Sequence, residues 1–256
     1  MKNKFTILGC GSSLGSPWIT EYWGECNKKN KKNIRTRCCA HFQYKNISVL
    51  IDTSPDIKEQ IIKNKIKNVD AVIYTHEHAD QTSGIFELRP YYWLNKKKID
   101  IFASAKTMRE LKEKYDFIFK PKHGYIPIGK SNIIKKKFFI KKNKNKIHIK
   151  AFEVPHGLIK ATGFLINKIA YLSDCSSIPK NIENILKNLD CLIIDCLRVT
   201  YHPGHLNLEG ALEAIKRLKP KKTILTNLHV DFDYENLKRK LPKNVFPAYD
   251  GMSFTF

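Results

Sequence analysis

The chain has 256 residues, 42% of them hydrophobic and 11% aromatic, which excludes a disordered or fibrous chain and suffices for one large domain with a buried core. No apolar run approaches the ~20 residues needed to span a bilayer, and no signal-peptide core follows Met1, so a cytoplasmic protein with no membrane partner is expected. The net charge of +22 raises nucleic acid as a partner, but only seven of the 46 basic residues are arginine, whose bidentate fork suits phosphate reading. The charge therefore speaks weakly for an anionic substrate and more weakly for RNA.

Residues 4–8 read as a first strand running into Gly9, Gly11 and Gly15, which permit a tight loop. That loop lacks the Gly-Lys-Ser/Thr ending of a phosphate-binding loop, and no helical pattern follows it, which argues against nucleotide binding. Residues 17–37 form a polar, lysine-rich excursion with Trp18, Trp23 and Cys26, the pattern of a functional flap or a partly ordered loop. A second strand covers 47–52, after which Ser54 can cap and Pro55 can open a helix to about residue 64. A short buried strand at 72–75, a strand at 99–103 and a helix over 106–115 follow. Residues 120–150 alternate lysine blocks with short apolar runs, as exposed strands or hairpins do. Strand 147–154 ends at Pro155-His156-Gly157, and 163–166 pairs with 169–172 in a hairpin ending at Ser173-Asp174. An apolar strand at 191–195 ends in an acid, a helix covers 208–218, and a strand at 223–226 precedes a closing turn and strand within 242–256. No linker, repeat or low-complexity boundary interrupts this series, so residues 1–256 are expected to form one α/β domain with helices covering sheets. The seven cysteines (Cys10, Cys26, Cys38, Cys39, Cys175, Cys191, Cys196) are odd in number and partly inside strands, so they read as reduced thiols.

The chemistry-bearing residues fall at strand ends. His76, His78 and Asp80 follow the strand at 72–75. Side chains in an extended turn alternate with period two, so these three face one side. Imidazole nitrogen and carboxylate oxygen in one small volume suit zinc, manganese or iron(II), and no thiolate pair is present to make a zinc finger. His156 ends a second strand, Asp174 a third, Asp195 a fourth, and Asn227 or His229 a fifth. Any one of these alone is more often a capped turn or a satisfied polar residue. Five together are how an α/β scaffold builds a site from rigid elements. His41, His123 and His148 lie in strand-like or lysine-rich surroundings and read as bland.

The pattern resembles the metallo-β-lactamase fold superfamily, whose signature is His-x-His-x-Asp-His followed by a later His, a later Asp and a final His. Within it the chain is similar to the branch containing phosphoribosyl 1,2-cyclic phosphate phosphodiesterase, with ribonuclease Z more distant. The likeness runs nearly end to end: Leu8-Gly-Cys-Gly-Ser12, Ile51-Asp-Thr53, the histidine cluster, Pro155-His-Gly157, Leu172-Ser-Asp174 and Ala248-Tyr-Asp-Gly-Met252. It implies an αββα four-layer sandwich and a metal-dependent hydrolase, a phosphodiesterase acting on a small anionic, cyclic phosphodiester through metal-activated water. An RNase Z-like nuclease and a catalytically weakened metal-binding protein are the alternatives, and a homodimer is left open. By motif order His76, His78 and His156 would hold one metal and Asp174 would bridge to a second, held also by Asp80, residue 81 and a histidine after the last long strand. Asp80 could instead orient water or act as a base. His205, ahead of the helix at 208, matches a catalytic histidine of the related enzymes that protonates the leaving group, with His202 as its rival. Clustered cysteines form a structural zinc site in the related flap, but only Cys26 stands in this one, so a free thiol is expected.

Two departures matter. The fourth motif residue is Gln81, whose amide oxygen ligates more weakly than imidazole. The usual Thr-His reads Thr226-Asn227-Leu228-His229, and in an extended segment His229 would face the same side as Asn227 and could replace it. The expectation is a divalent metal, zinc or manganese, in one tight site, with a weaker second.

Overall fold

In the computed structural model, which describes residues 3–256, two seven-stranded sheets pack face to face. The first contains β1 (Lys4–Gly9), β2 (Cys39–Tyr44), β3 (Ile47–Ile51), β4 (Ala71–Ile73), β5 (Ile99–Ala103) and β6 (Gly129–Ile133) in that spatial order. The second contains β7 (Lys137–Lys142), β8 (Asn145–His156), β9 (Ile159–Ile166), β10 (Ile169–Leu172), β11 (Cys191–Asp195), β12 (Thr223–Thr226) and β13 (Val245–Pro247). The last strand, β14 (Ser253–Thr255), returns to pair antiparallel with β1. Helices α1 (Ile57–Lys63), α2 (Ala79–Thr82), α3 (Arg89–Asn95), α4 (Ala105–Lys114) and α5 (Asp116–Phe119) belong to the half of the first sheet. The half of the second carries α6 (Lys180–Glu183), α7 (Leu208–Leu218) and α8 (Tyr234–Lys240).

Three buried clusters separate the four layers. Phe5, Ile7, Phe42, Ile51 and Ile73 of the first sheet meet Ile149, Phe164, Tyr171, Ile193 and Ile224 of the second in the centre. Leu192 and Ile194, the neighbours of Ile193, face Ala211, Ile215 and Leu237 under α7 and α8. Val72 faces Leu88, Met108 and Leu111 on the opposite outer layer. Strand β4 and residues 191–194 of β11 are apolar because both of their faces are covered, so no residue there has a wet side to occupy. This is the αββα sandwich expected from the sequence.

The strand directions assemble the site. β3 and β4 run parallel, as do β10, β11 and β12, while β8 and β10 are each antiparallel to β9 between them. The carboxyl ends of β8, β10, β11 and β12 therefore lie along one edge. The amide of Thr162 donates to the carbonyl of Thr75 at 2.8 Å, tying that edge of the second sheet to the end of β4.

Residues 17–37 are ordered by buried polar ties. Arg35, 1% exposed, donates to the carbonyls of His229 (3.2 Å) and Phe232 (2.5 Å) and to Asn33 Oδ1 (3.1 Å). Asp250, in the closing turn, accepts from Cys10 N (3.1 Å), Thr36 N (2.7 Å) and Thr36 Oγ1 (2.6 Å). At Gly9 a side chain would meet the Arg37 carbonyl 2.2 Å away, so only glycine lets the flap lie this close to β1. All seven cysteines are free and buried, and the Cys26 thiol donates to the Val230 and Phe232 carbonyls. Residues 120–150, the least legible part of the sequence, supply β6, β7 and the start of the twelve-residue β8. Among the described residues no helix is long and apolar enough to cross a membrane.

Candidate metal centre

Three imidazoles converge at the edge. His76 Nε2 lies 3.0 Å from His78 Nδ1, and His156 Nε2 lies 3.2 Å from the same atom. Their rings stand edge to face with centroids 4.5–5.0 Å apart. Hydrogen bonds on the far side of two rings settle which nitrogens are free. His156 Nδ1 donates to the Gly204 carbonyl at 2.6 Å, leaving Nε2 as a lone pair. Thr75 Oγ1 donates to Asp52 Oδ2 at 2.9 Å and so accepts from His76 Nδ1 at 2.9 Å, which frees His76 Nε2. Two lone pairs thus point at one nitrogen of His78, which carries at most one proton and can donate it to only one of them. A cation would satisfy all three nitrogens together, so the donor set fits a divalent metal. Burial, reinforced by the other two imidazoles, holds His76 down at about 4, which keeps it neutral and able to ligate.

The acids complete the centre. His156, Asp174 and His205 form a second group whose ligand atoms lie within 4.8 Å of one another. Burial opposes ionisation of Asp174, but His76, His205 and His156 around it outweigh burial and hold its carboxyl below the ordinary value. Burial, with Asp174 nearby, raises Asp80 to about 6. Gln81 is fully buried beneath them. Turned so that its nitrogen faces Asp52 Oδ2 and the Cys38 carbonyl, each 3.2 Å away, its amide donates to both. The outer amide atom, the oxygen, then faces Asp80 Oδ2 (3.4 Å) and Asp174 Oδ2 (3.5 Å). Three oxygens facing one another make a cation position poorer in nitrogen than the first.

Beside the cradle, Asp195 at the end of β11 is completely buried, and its Oδ2 lies 2.7 Å from His205 Nδ1. The same oxygen accepts from Cys175 N at 3.0 Å, and Oδ1 accepts from Asn227 Nδ2 at 3.0 Å. Burial pushes Asp195 up to about 6, partly offset by His205. Burial works against charge on His205, but Asp195, by charge and hydrogen bond, outweighs it and lifts the imidazole to about 9. At neutral pH the pair is a carboxylate and an imidazolium. The His205 ring sits 4.6 Å from that of His156. His202 flanks it at 5.0 Å, with Nδ1 accepting from Gly204 N at 3.1 Å.

The edge therefore gathers His76, His78, Asp80, Gln81, His156, Asp174 and His205, together with Asn227. His229 is the exception and corrects the period-two expectation. Asn227 has φ of +63°, a left-handed residue that ends the extended run, so the next two side chains do not alternate as in a strand. His229 turns toward the flap instead, with Nδ1 2.8 Å from Asp231 Oδ1 and its ring 5.6 Å from Trp18. It belongs to neither ligand group among the described residues. Sequence reasoning left three participants without roles. Asp52 and Thr75 orient His76, and the signal for Asp52 was an acid closing an otherwise apolar strand. Asp195 gave the same signal, which its pairing with His205 explains.

A family model for the beta-lactamase superfamily domain matches residues 48–227. The chain superposes on a diphosphatase from the PhnP family with a TM-score of 0.91 at 31% identity, covering 100% of this chain and 98% of that one. Zinc-bound PqqB from Methylobacterium extorquens gives a TM-score of 0.80 at 15% identity over 99% of this chain and 100% of that one. Human tRNase Z, short form, gives 0.69 at 18% over 98% of each. At those two identities the likeness is one of fold. A curated relative, an octanoyltransferase of Porphyromonas gingivalis, is 26% identical over 250 residues, 96% of this chain and 50% of that protein. The chain thus spans about half the length of the curated relative it matches.

Proposed function

This chain belongs to the metallo-β-lactamase superfamily of metal-binding hydrolases, and we propose from that premise that it hydrolyses a small, cyclic phosphodiester with a divalent metal. The observation that carries the reading is the Asp195–His205 pair set against the three-imidazole cradle. An alkoxide is a poor leaving group and needs a proton as it departs, whereas a thiolate needs little help. A charged imidazole held beside the cradle is the group for that task. The name of the 31% identical relative, a diphosphatase, supports phosphoryl chemistry.

His76, His78 and His156 would hold one cation, joined by Asp174, and zinc and manganese both suit this set. Asp80, Asp174 and the Gln81 oxygen would make a second, weaker position. A bound cation supplies Lewis-acid polarisation of a phosphoryl oxygen and lowers the pKa of water. Asp52 and Thr75 keep the His76 lone pair aimed at the cradle. Asp80 orients the attacking water or takes its proton, and His205 delivers a proton to the departing oxygen.

The test is turnover by metal-loaded protein of bis-p-nitrophenyl phosphate, adenosine 2′,3′-cyclic phosphate and a tRNA precursor. Hydrolysis of the two small diesters is expected. Cleavage of the tRNA precursor alone would replace this reading with an RNase Z-like one. Turnover of none, with metal bound, would leave a metal-binding protein weakened at Gln81 and Asn227.

A further inference from the structure

The superfamily signature expects a metal-binding histidine after the last long strand, and this chain has Asn227 there. Its amide nitrogen donates to Asp195 Oδ1 at 3.0 Å, and it lies 3.0 Å from His205 Nδ1, whose own proton goes to Asp195 Oδ2. The three donors that meet the Asp195 carboxylate come from three separate stretches: Cys175 N after β10, His205 before α7, and Asn227 after β12. Two of them share Oδ2. Asn227 alone fixes Oδ1, and with it the rotation of the carboxylate about its own bond. Removing the amide would leave Oδ1 without a donor in a completely buried site, free to turn toward another partner. His205 would then lose the direction of its ring. Asparagine is also suited to the left-handed φ of +63° that the chain needs to leave β12, a conformation in which most side chains are strained.

We infer that Asn227 is a positioning residue: it holds Asp195, and through it His205, in the orientation that protonates the leaving group, and it does not ligate metal. This rests on the hydrolase reading and adds that the family's last ligand position has been given over to the acid.

The experiment compares the Asn227→Gly variant with wild type, His205→Gln and the double variant, all metal-loaded. Glycine accepts the positive φ without strain, so the fold should be kept. Asn227→Ser is a second variant in case glycine loosens the loop. The substrates are bis-p-nitrophenyl phosphate, whose leaving group needs little protonation, and adenosine 2′,3′-cyclic phosphate, whose sugar alkoxide needs it. For Asn227→Gly, kcat on the cyclic diester should fall on the order of tenfold further than on the aryl diester, with similar KM, because general acids contribute roughly 10²–10⁴-fold in rate. The double variant should be no slower than His205→Gln alone, since both changes remove one function. Metal content per chain should equal that of wild type. Equal losses on both substrates, multiplying losses in the double variant, or loss of metal from Asn227→Gly would each overturn the inference. Those outcomes require an active wild type, whereas an inactive wild type would sink the hydrolase reading itself.

Discussion

Replacing Asp52 by Asn should weaken metal binding without touching a ligand. Asp52 is fully buried, with Oδ1 accepting from Thr75 N (2.8 Å) and Oδ2 accepting from Thr75 Oγ1 (2.9 Å). Burial pushes its carboxyl well above the ordinary value, offset only in part by the two Thr75 donors. As long as Oδ2 accepts, the Thr75 hydroxyl proton points to Asp52 and Thr75 Oγ1 must accept from His76 Nδ1. An amide NH₂ in place of Oδ2 donates instead, both to the Thr75 hydroxyl oxygen and to Gln81, whose amide turns over to accept from it. The hydroxyl proton then turns to His76 Nδ1, and the imidazole proton moves to Nε2, the atom that faces the cradle. Before His76 can ligate, that proton must move back at the expense of a hydrogen bond worth about 1–1.5 kcal/mol, or roughly tenfold in affinity. Loss of a partner behind a ligating histidine typically costs roughly 10–100-fold, so the two figures agree. The assay is zinc affinity by competition with a chromophoric chelator, with thermal unfolding of the chelator-treated protein as a control for fold. Thr75→Val should give a loss of the same order, and the pair should not be additive. Affinity within about twofold of wild type in Asp52→Asn would refute the relay.

Removing a member of the cradle should be harsher: His76→Ala or Asp174→Ala should lose both bound metal and turnover, read by elemental analysis and by diester hydrolysis, and activity retained in either would count against the site. Gln81→His should raise metal content above the wild-type stoichiometry by putting nitrogen among the oxygens of Asp80 and Asp174; unchanged stoichiometry would mean that Gln81 is not what limits the second position. In metal-free protein, His205 holds its proton up to about pH 9 when folded but only to about 6.5 when unfolded. The pairing with Asp195, whose carboxyl stays ionised above about 6, therefore stabilises the fold most just above that pH, by at most roughly 3 kcal/mol, and that contribution fades as pH rises toward and through 9. Urea unfolding of wild type and His205→Gln at pH 7 and pH 9.5 should show the gap between them close; a gap that does not change with pH would mean the pair is not ionised.

The sequence alone was enough for the architecture and for most of the residues that gather at the candidate metal centre. Strands such as 191–194, apolar on both faces, can exist only between covered layers, and period-two alternation over 147–154 marked most of β8. His76, His78, His156 and Asp174 were legible because a strand end is a rigid place to hold a ligand, and such residue types gather there for few other reasons. What the sequence could not carry is contact between elements far apart in the chain. The hydroxyl relay from Asp52 through Thr75 to His76 depends on β3 and β4 lying side by side. The Asp195–His205–Asn227 set depends on three strand ends meeting at one edge. His229 was misplaced for a local reason with a tertiary cause. Its spacing from Asn227 is right for an extended run, but the chain must leave β12 through a left-handed residue so that Leu228 can pair with Cys10 and His229 N with the Leu197 carbonyl. Alternation describes a backbone that stays extended, and only the packing of the flap against the strand ends decided where it stops.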